Sequence, residues 1–312
     1  MRIFVAGASG VIGRPLVPRL LEEGHEVTGM TRSPEKAERI RAQGAQAAVC
    51  DVFDPEALSR AVAAARPEVV VQQLTDLPPD LNPRNMKRAY AGNDRVRSDG
   101  SANLVGAASA AGARRFVAQN ICFAYAPAGG PVKDETAPIY TDAPAPFDRT
   151  ARVYEEMEGR ILETPGLDGL VLRFGLWYGP GTSLAPDGFT ANEVRRRRYP
   201  VVGDGGGVFS FVHVDDAVEA TVAAVERGAP GAYNVCDDDP APLREWLPAY
   251  ARALGAPPPR HVPRWLARLV VGSFTTSIMT ELRGASNAKA KRELGWEPRH
   301  PTWREGFRTA LS

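Results

Sequence analysis

The stretch that most constrains this chain lies at its start: Met1-Arg2-Ile3-Phe4-Val5-Ala6-Gly7-Ala8-Ser9-Gly10-Val11-Ile12-Gly13. Ile3 to Ala6 reads as a short buried strand, and Gly7, Gly10 and Gly13 punctuate a turn that opens a helix. A strand running directly into such glycines suits a dinucleotide pyrophosphate. The glycines let the backbone come close to the phosphates, and the helix N-terminus supplies free N–H groups and a positive dipole end. The spacing is G-x-x-G-x-x-G rather than the commoner G-x-G-x-x-G. A plain tight turn would use the same glycines, but the strand before them and the apolar helix after them favour the nucleotide site. Gly7, Ser9, Gly10, Val11, Ile12 and Gly13 are therefore the expected cofactor-binding residues of this turn.

The chain has 312 residues, enough for a large core. Its formal net charge of +1 gives no global attraction for nucleic acid or an acidic membrane. The run Arg195-Arg196-Arg197-Arg198 reads as a solvated helix end rather than a nucleic-acid contact. Cys50, Cys122 and Cys236 are far apart, lack metal-ligand spacing and read as reduced thiols. The four histidines, His25, His213, His261 and His300, are scattered, so no metal site is expected. Neither a secretory leader nor an apolar run of about 18 residues is present, so a cytoplasmic protein without a membrane span is expected.

After the glycine turn, Val11, Ile12, Leu16, Val17, Leu20 and Leu21 recur at helical spacing, and Pro18 should cost that helix a hydrogen bond. His25 to Met30 reads as a second strand, followed directly by Thr31-Arg32-Ser33. An acidic residue here would hold the ribose hydroxyls of NAD. Arg32 with neighbouring hydroxyls, Ser33 among them, suits a 2′-phosphate instead, which favours NADP, although a plain surface arginine would look the same. Ala45 to Cys50 is a third strand with Asp51-Val52 at its carboxyl end, where an adenine could be hydrogen-bonded. Asp54 and Pro55 look like a helix N-cap and first position. Val69 to Leu74 is a fourth strand that brings Leu74 to the cofactor mouth, followed by a Pro-rich loop from Leu77 to Asn85. Arg88 to Ala111 reads as helix and Arg115 to Gln119 as a fifth strand. This alternation predicts an α/β fold, a doubly wound parallel Rossmann sheet.

Further motifs carry a resemblance. Leu172-Arg173-Phe174-Gly175-Leu176-Trp177-Tyr178-Gly179-Pro180-Gly181, Phe211-Val212-His213-Val214-Asp215-Asp216, and Asn287-Ala288-Lys289-Ala290 with Leu294-Gly295-Trp296 join the glycine fingerprint and Asp51-Val52. Together they resemble the extended short-chain dehydrogenase/reductases, the NAD(P)-dependent epimerase/dehydratase group. The resemblance implies a Rossmann domain over residues 1–178 with a returning segment near 209–236, a substrate-binding lobe over 179–312, a small-molecule substrate and a homodimer.

It also implies a Tyr-x-x-x-Lys pair on one helix and a Ser or Thr after the fifth strand. Residues four apart share a helical face, and the lysine lowers the tyrosine's pKa for acid–base work. This chain departs from that pattern. On the helix expected over Arg149 to Glu163, Tyr154 is followed four residues later by Glu158, which if charged would raise the phenol's pKa. One turn earlier, Thr150 takes the Tyr position and Tyr154 the Lys position. Gln119-Asn120-Ile121-Cys122 replaces the serine-rich run. Tyr154, as general acid or as buried structural tyrosine, and Asn120, as a donor to a substrate oxygen, are the catalytic candidates; Tyr125 and Tyr178 rank below them. Nucleotide-sugar relatives carry a diphosphate-binding arginine where Phe209 stands, and an aromatic ring cannot neutralise a diphosphate. The expected function is an NADP(H)-dependent oxidoreductase or epimerase-type enzyme for a small, largely uncharged metabolite, with a non-standard site. A non-catalytic NADP(H)-binding sensor and a nucleotide-sugar epimerase are the alternatives. His261 to Val271, with Trp265, Leu266, Leu269 and Val270, is expected as a pocket wall or core.

Overall fold

Strand β1 (Arg2–Ala6) buries Ile3, Phe4, Val5 and Ala6 in succession, as a strand covered on both faces must. In this computed structural model, which describes residues 1–78 and 86–310, β1 lies inside a seven-stranded sheet. Its partners in chain order are β2 (Glu26–Thr31), β3 (Gln46–Val49), β4 (Val69–Gln72), β5 (Arg115–Ile121), β6 (Asp168–Phe174) and β7 (Gly231–Val235). The spatial order is β3-β2-β1-β4-β5-β6-β7, and every pairing is parallel. The order reverses between β1 and β4, which opens a crevice at their carboxyl ends. Residues 79–85, most of the expected Pro-rich loop, lie outside the described residues.

Helices α1 (Gly13–Glu22), α2 (Pro34–Ala42), α3 (Pro55–Ala65), α4 (Met86–Arg95), α5 (Ser101–Ala110) and α6 (Phe147–Glu163) belong to this sheet. Caps read from the sequence form as expected at Asp54, whose carboxylate accepts the Ala57 N–H at 2.9 Å. Pro18 in α1 has no N–H for the Arg14 carbonyl, and the Gln43 side-chain amide donates to it instead at 3.1 Å. Between α4 and α5 the helix widens into a π segment, Val96–Gly100. That segment packs on the loop after β3, where the Asn103 amide holds the Val52 carbonyl at 2.9 Å.

Six more helices follow among the described residues: α7 (Phe189–Arg195), α8 (Val214–Glu226), α9 (Leu243–Ala253), α10 (Arg264–Glu281), α11 (Ala288–Leu294) and α12 (Trp303–Ala310). One core packs α1, α8 and α11 on one face of the sheet, and a second packs α3, α5 and α6 on the other. A third, rich in aromatics, gathers Tyr178, Phe209, Phe211, Trp246, Tyr250, Trp303 and Phe307 among the C-terminal elements.

Two details add to the sequence reading, and one expectation needs correction. Phe211–His213 pairs with Leu176–Tyr178 as a separate two-stranded sheet, and β7 alone carries the later chain back to the main sheet. His213 caps α8 by accepting the Asp215 N–H at 3.2 Å, and Asp216 accepts the N–H groups of Arg299 (2.7 Å) and His300 (3.0 Å). Trp265 (68% exposed) and Leu269 (77%) face solvent rather than core, because α10 breaks at Gly272 and the half beyond the break supplies most of the packing.

The tightest constraint is the approach of α1 to β1: a Cβ on Gly13 would fall 2.1 Å from the Gly7 carbonyl oxygen. Gly13→Ala should therefore lower the unfolding free energy by about 1–3 kcal/mol through overpacking. Gly106→Ala, in α5 with open space around the new methyl, should raise it by about 0.4–1 kcal/mol. Urea denaturation of both variants checks the contrast.

Candidate active site

A cleft of about 410 Å³ opens where the strand order reverses. Gly7, Ser9 and Gly10 line its floor, Arg32 and Ser33 one end, and Asp51, Val52 and Leu74 its walls. Gly7 has φ +92°, and a Cβ there would sit 2.6 Å from the Gln73 carbonyl oxygen, so only glycine fits this floor. Val11, Ile12 and Gly13 do not line the cleft. The Ile12 side chain is buried in the core below it, and Gly13 serves the helix–strand contact.

Lys36, which the sequence does not mark, joins Arg32 and Ser33 at the cleft; it stands four residues after Arg32 in the first turn of α2. Among the described residues neither cation has an ion-pair partner. The Ser33 hydroxyl donates to Glu35 at 2.5 Å and accepts the Lys36 N–H. Gln73, 4% exposed, borders the same cleft, and both polar atoms of its side-chain amide lack a protein partner. The cleft thus combines a glycine floor, two free cations and an unspent amide. This donor set fits a phosphorylated dinucleotide.

Tyr154 stands behind this cleft, not in its wall. It is 3% exposed, and its hydroxyl takes a long hydrogen bond from the Asn93 amide at 3.4 Å. The Asn93 oxygen in turn accepts from the hydroxyl of Thr75, a cleft residue, at 3.0 Å. Burial pushes the phenol up to about 12, against the opposing pull of the Arg97 guanidinium, whose carbon lies 6.0 Å from the ring centre. The expected influence of Glu158 is absent because Glu158 turns away. Arg173 of β6 grips both its carboxylate oxygens, with Nε at 2.9 Å, and the Asn120 amide donates to it at 2.6 Å.

Asn120 is buried, and one N–H of its amide is engaged by Glu158. The network continues from Arg173 to the Tyr125 hydroxyl (2.9 Å) and on to Asn234 of β7 (2.6 Å). Thr150 donates to a buried carboxylate, Asp94, at 3.1 Å. Arg97 is 2% exposed, donates to the Gln119 carbonyl, and leaves its Nε without a partner. Nothing in the sequence separates Arg97 from the solvent-facing Arg95 beside it. Tyr178 packs against His213 and Phe307 in the C-terminal core. The scattered histidines partly meet: the rings of His213 and His300 lie 4.0 Å apart with Asp215 near, and burial and His300 hold His213 below its usual pKa.

Residues 3–236 match the model of the NAD dependent epimerase/dehydratase family. The chain belongs to that family. A 3-diazoavenalumate denitrifying reductase from a Streptomyces species is 51% identical over 98% of this chain and 99% of that protein. A 2-alkyl-3-oxoalkanoate reductase of Stenotrophomonas maltophilia is 29% identical over 82% of this chain and 77% of that one. Among solved structures, the UDP-glucose 4-epimerase of Thermus thermophilus in complex with NAD is 26% identical, with a TM-score of 0.73 over 100% of this chain and 98% of that one. A UDP-glucose 4-epimerase of Thermotoga maritima, 22% identical with a TM-score of 0.78 over 100% and 97%, shares the fold. This epimerase/dehydratase family member is thus an NAD(P)-dependent enzyme of oxidoreductase or epimerase type. No helix among the described residues is long and apolar enough to cross a membrane.

Two outcomes follow from the buried network. Glu158→Gln strands the Arg173 charge in the interior and should cost about 3–5 kcal/mol, whereas Glu158→Met with Arg173→Met should recover most of it; denaturant titrations distinguish them. Because the folded-state phenol of Tyr154 lies above its unfolded value of about 10, its contribution is complete below pH 10 and lost as pH rises through 12. Wild type should therefore lose about 1.4 kcal/mol more stability per pH unit over that window than Tyr154→Phe.

Proposed function

We propose that this chain is an NADPH-dependent reductase that delivers hydride to a diazo compound with loss of dinitrogen. The single observation that carries the chemistry is the helix α6 register: no phenol–ammonium pair faces the cleft, and Tyr154 is held behind Asn93 with Thr150 one turn away. Reducing a carbonyl creates a strongly basic alkoxide, which calls for a placed acid. A diazo group makes no such demand, because its leaving group is a neutral gas. The 51% identity to a denitrifying reductase along nearly the full length of both chains supports this choice over other electrophiles.

When bound, the nicotinamide supplies hydride. In the net reaction, R₂C=N₂ gains one hydride and one proton to give R₂CH₂ and N₂. The hydride bonds to the terminal nitrogen with its own electron pair, and the C=N π pair shifts to carbon, which takes a proton from solvent. The C–N bond then breaks, the hydrogen on nitrogen passes to carbon, and N₂ departs. The chain's part is to bind and orient the cofactor and the diazo compound. Gly7, Ser9 and Gly10 would receive the pyrophosphate, Asp51 would accept from the adenine amine, and Arg32, Ser33 and Lys36 would hold a 2′-phosphate. Residues 1–178 and the segment near 209–236 would form the cofactor half, with 179–312 supplying most of the substrate side. Phe209, buried between Phe211 and Trp246, offers no charge for a nucleotide-sugar diphosphate, which argues against an epimerase of that class.

Arg32→Glu should weaken NADPH binding by roughly tenfold or more while changing NADH binding little, since a charge-assisted contact contributes about 1.5–3 kcal/mol. Fluorescence titration reads both, and a wild-type preference for NADH would overturn the assignment. With a ¹⁵N-labelled diazo substrate, labelled N₂ should appear in the gas phase in proportion to NADPH consumed. NADPH oxidation without N₂ would rule out the diazo chemistry.

A further inference from the structure

The loop between β5 and α6 and the far half of α10 enclose a second, smaller pocket, lined by Phe123, Tyr140, Phe147, Phe274, Ile278 and Glu281. Its volume is about 20 Å³, room for a water and far too little for a ring. One wall is a pair of stacked rings. Phe147, the first residue of α6, and Phe274 of α10 lie 4.8 Å apart between centroids with planes only 18° apart. Tyr90 meets both rings, near edge-on to Phe274, and Tyr154 meets Phe147 edge-on at 6.2 Å. Hydrogen bonds between Tyr154 and Asn93 and between Asn93 and Thr75 link this aromatic cluster to the wall of the cofactor cleft. Two residues before Phe274, Gly272 breaks α10 with φ 85° and ψ 169°, and no atom lies within 4 Å of where its Cβ would be.

We infer that this pocket is the substrate site and recognises a flat aromatic ring, which parts Phe274 from Phe147 and stacks on the face of Phe147 that Phe274 now covers. The break at Gly272 is where α10 gives way. A planar ring replaces the lost stack face for face, whereas a puckered or aliphatic body cannot. Glu281 stands in the far wall. One of its oxygens accepts from Ser277 at 2.8 Å and the other is paired with Arg264, so the carboxylate is held as an acceptor for a hydroxyl on the ring. The inference rests on the reductase reading for the reaction but names a ring class that the reading leaves open.

The test uses two neutral probes of equal size, 4-ethylphenol and its saturated counterpart 4-ethylcyclohexanol, titrated calorimetrically into the full chain with and without saturating NADP⁺. Wild type should prefer the flat ring by about fivefold to tenfold, the range expected of aromatic stacking. Phe274→Leu and Phe147→Leu should bring the preference to within about twofold, and Phe274→Tyr should keep it, all three binding NADPH like wild type. Equal binding of the two probes by wild type, binding of neither, or an undiminished preference in Phe274→Leu would overturn the proposal. Absence of NADP⁺ binding by wild type would sink the reductase reading instead, while the ring preference still decides this one.

Discussion

The bidentate pair between Glu158 and Arg173 holds the centre of this molecule. Two charges leave water to form it, which is tolerable only if the fork is well made and the remaining lone pairs are used. Arg173 meets the carboxylate with two nitrogens, Asn120 adds a third donor, and Arg173's other nitrogen holds the Tyr125 hydroxyl. Those contacts join α6, β5, β6 and, through Asn234, β7. They also set the rotation of α6. With Glu158 fixed toward β6, Tyr154 one turn earlier must point at α4, where Asn93 and Arg97 receive it.

That rotation separates binding from chemistry. The cleft at the strand reversal has the floor, the open cations and the unspent amide of Gln73 that suit a dinucleotide. Tyr154 on α6 is buried, its phenol is pushed up by that burial, and it stands two hydrogen bonds from the cleft. A reaction whose leaving group carries off no charge suits such a site. The stacked rings of Phe147, the first residue of that helix, and Phe274 of α10 stand next to Tyr154.

By itself the sequence determined the glycine turn and the elements around it. Gly7, Gly10 and Gly13 are local signals, because a glycine at positive φ or in close backbone contact tolerates little else, and the strand and helix that flank them follow from periodicity alone. Arg32 and Asp51 were legible for the same reason: their places are fixed by distance from a strand end. The tertiary structure decided what faces what. Lys36, Asn93, Arg97 and the stacked pair Phe147–Phe274 gain their meaning from partners far away in the chain, and nothing in local composition separates a buried arginine from an exposed one. Glu158 shows the difference most plainly. Spacing placed it beside Tyr154, but the cost of burying a lone carboxylate turned it to Arg173, and that choice is made only when β6 lies against the helix.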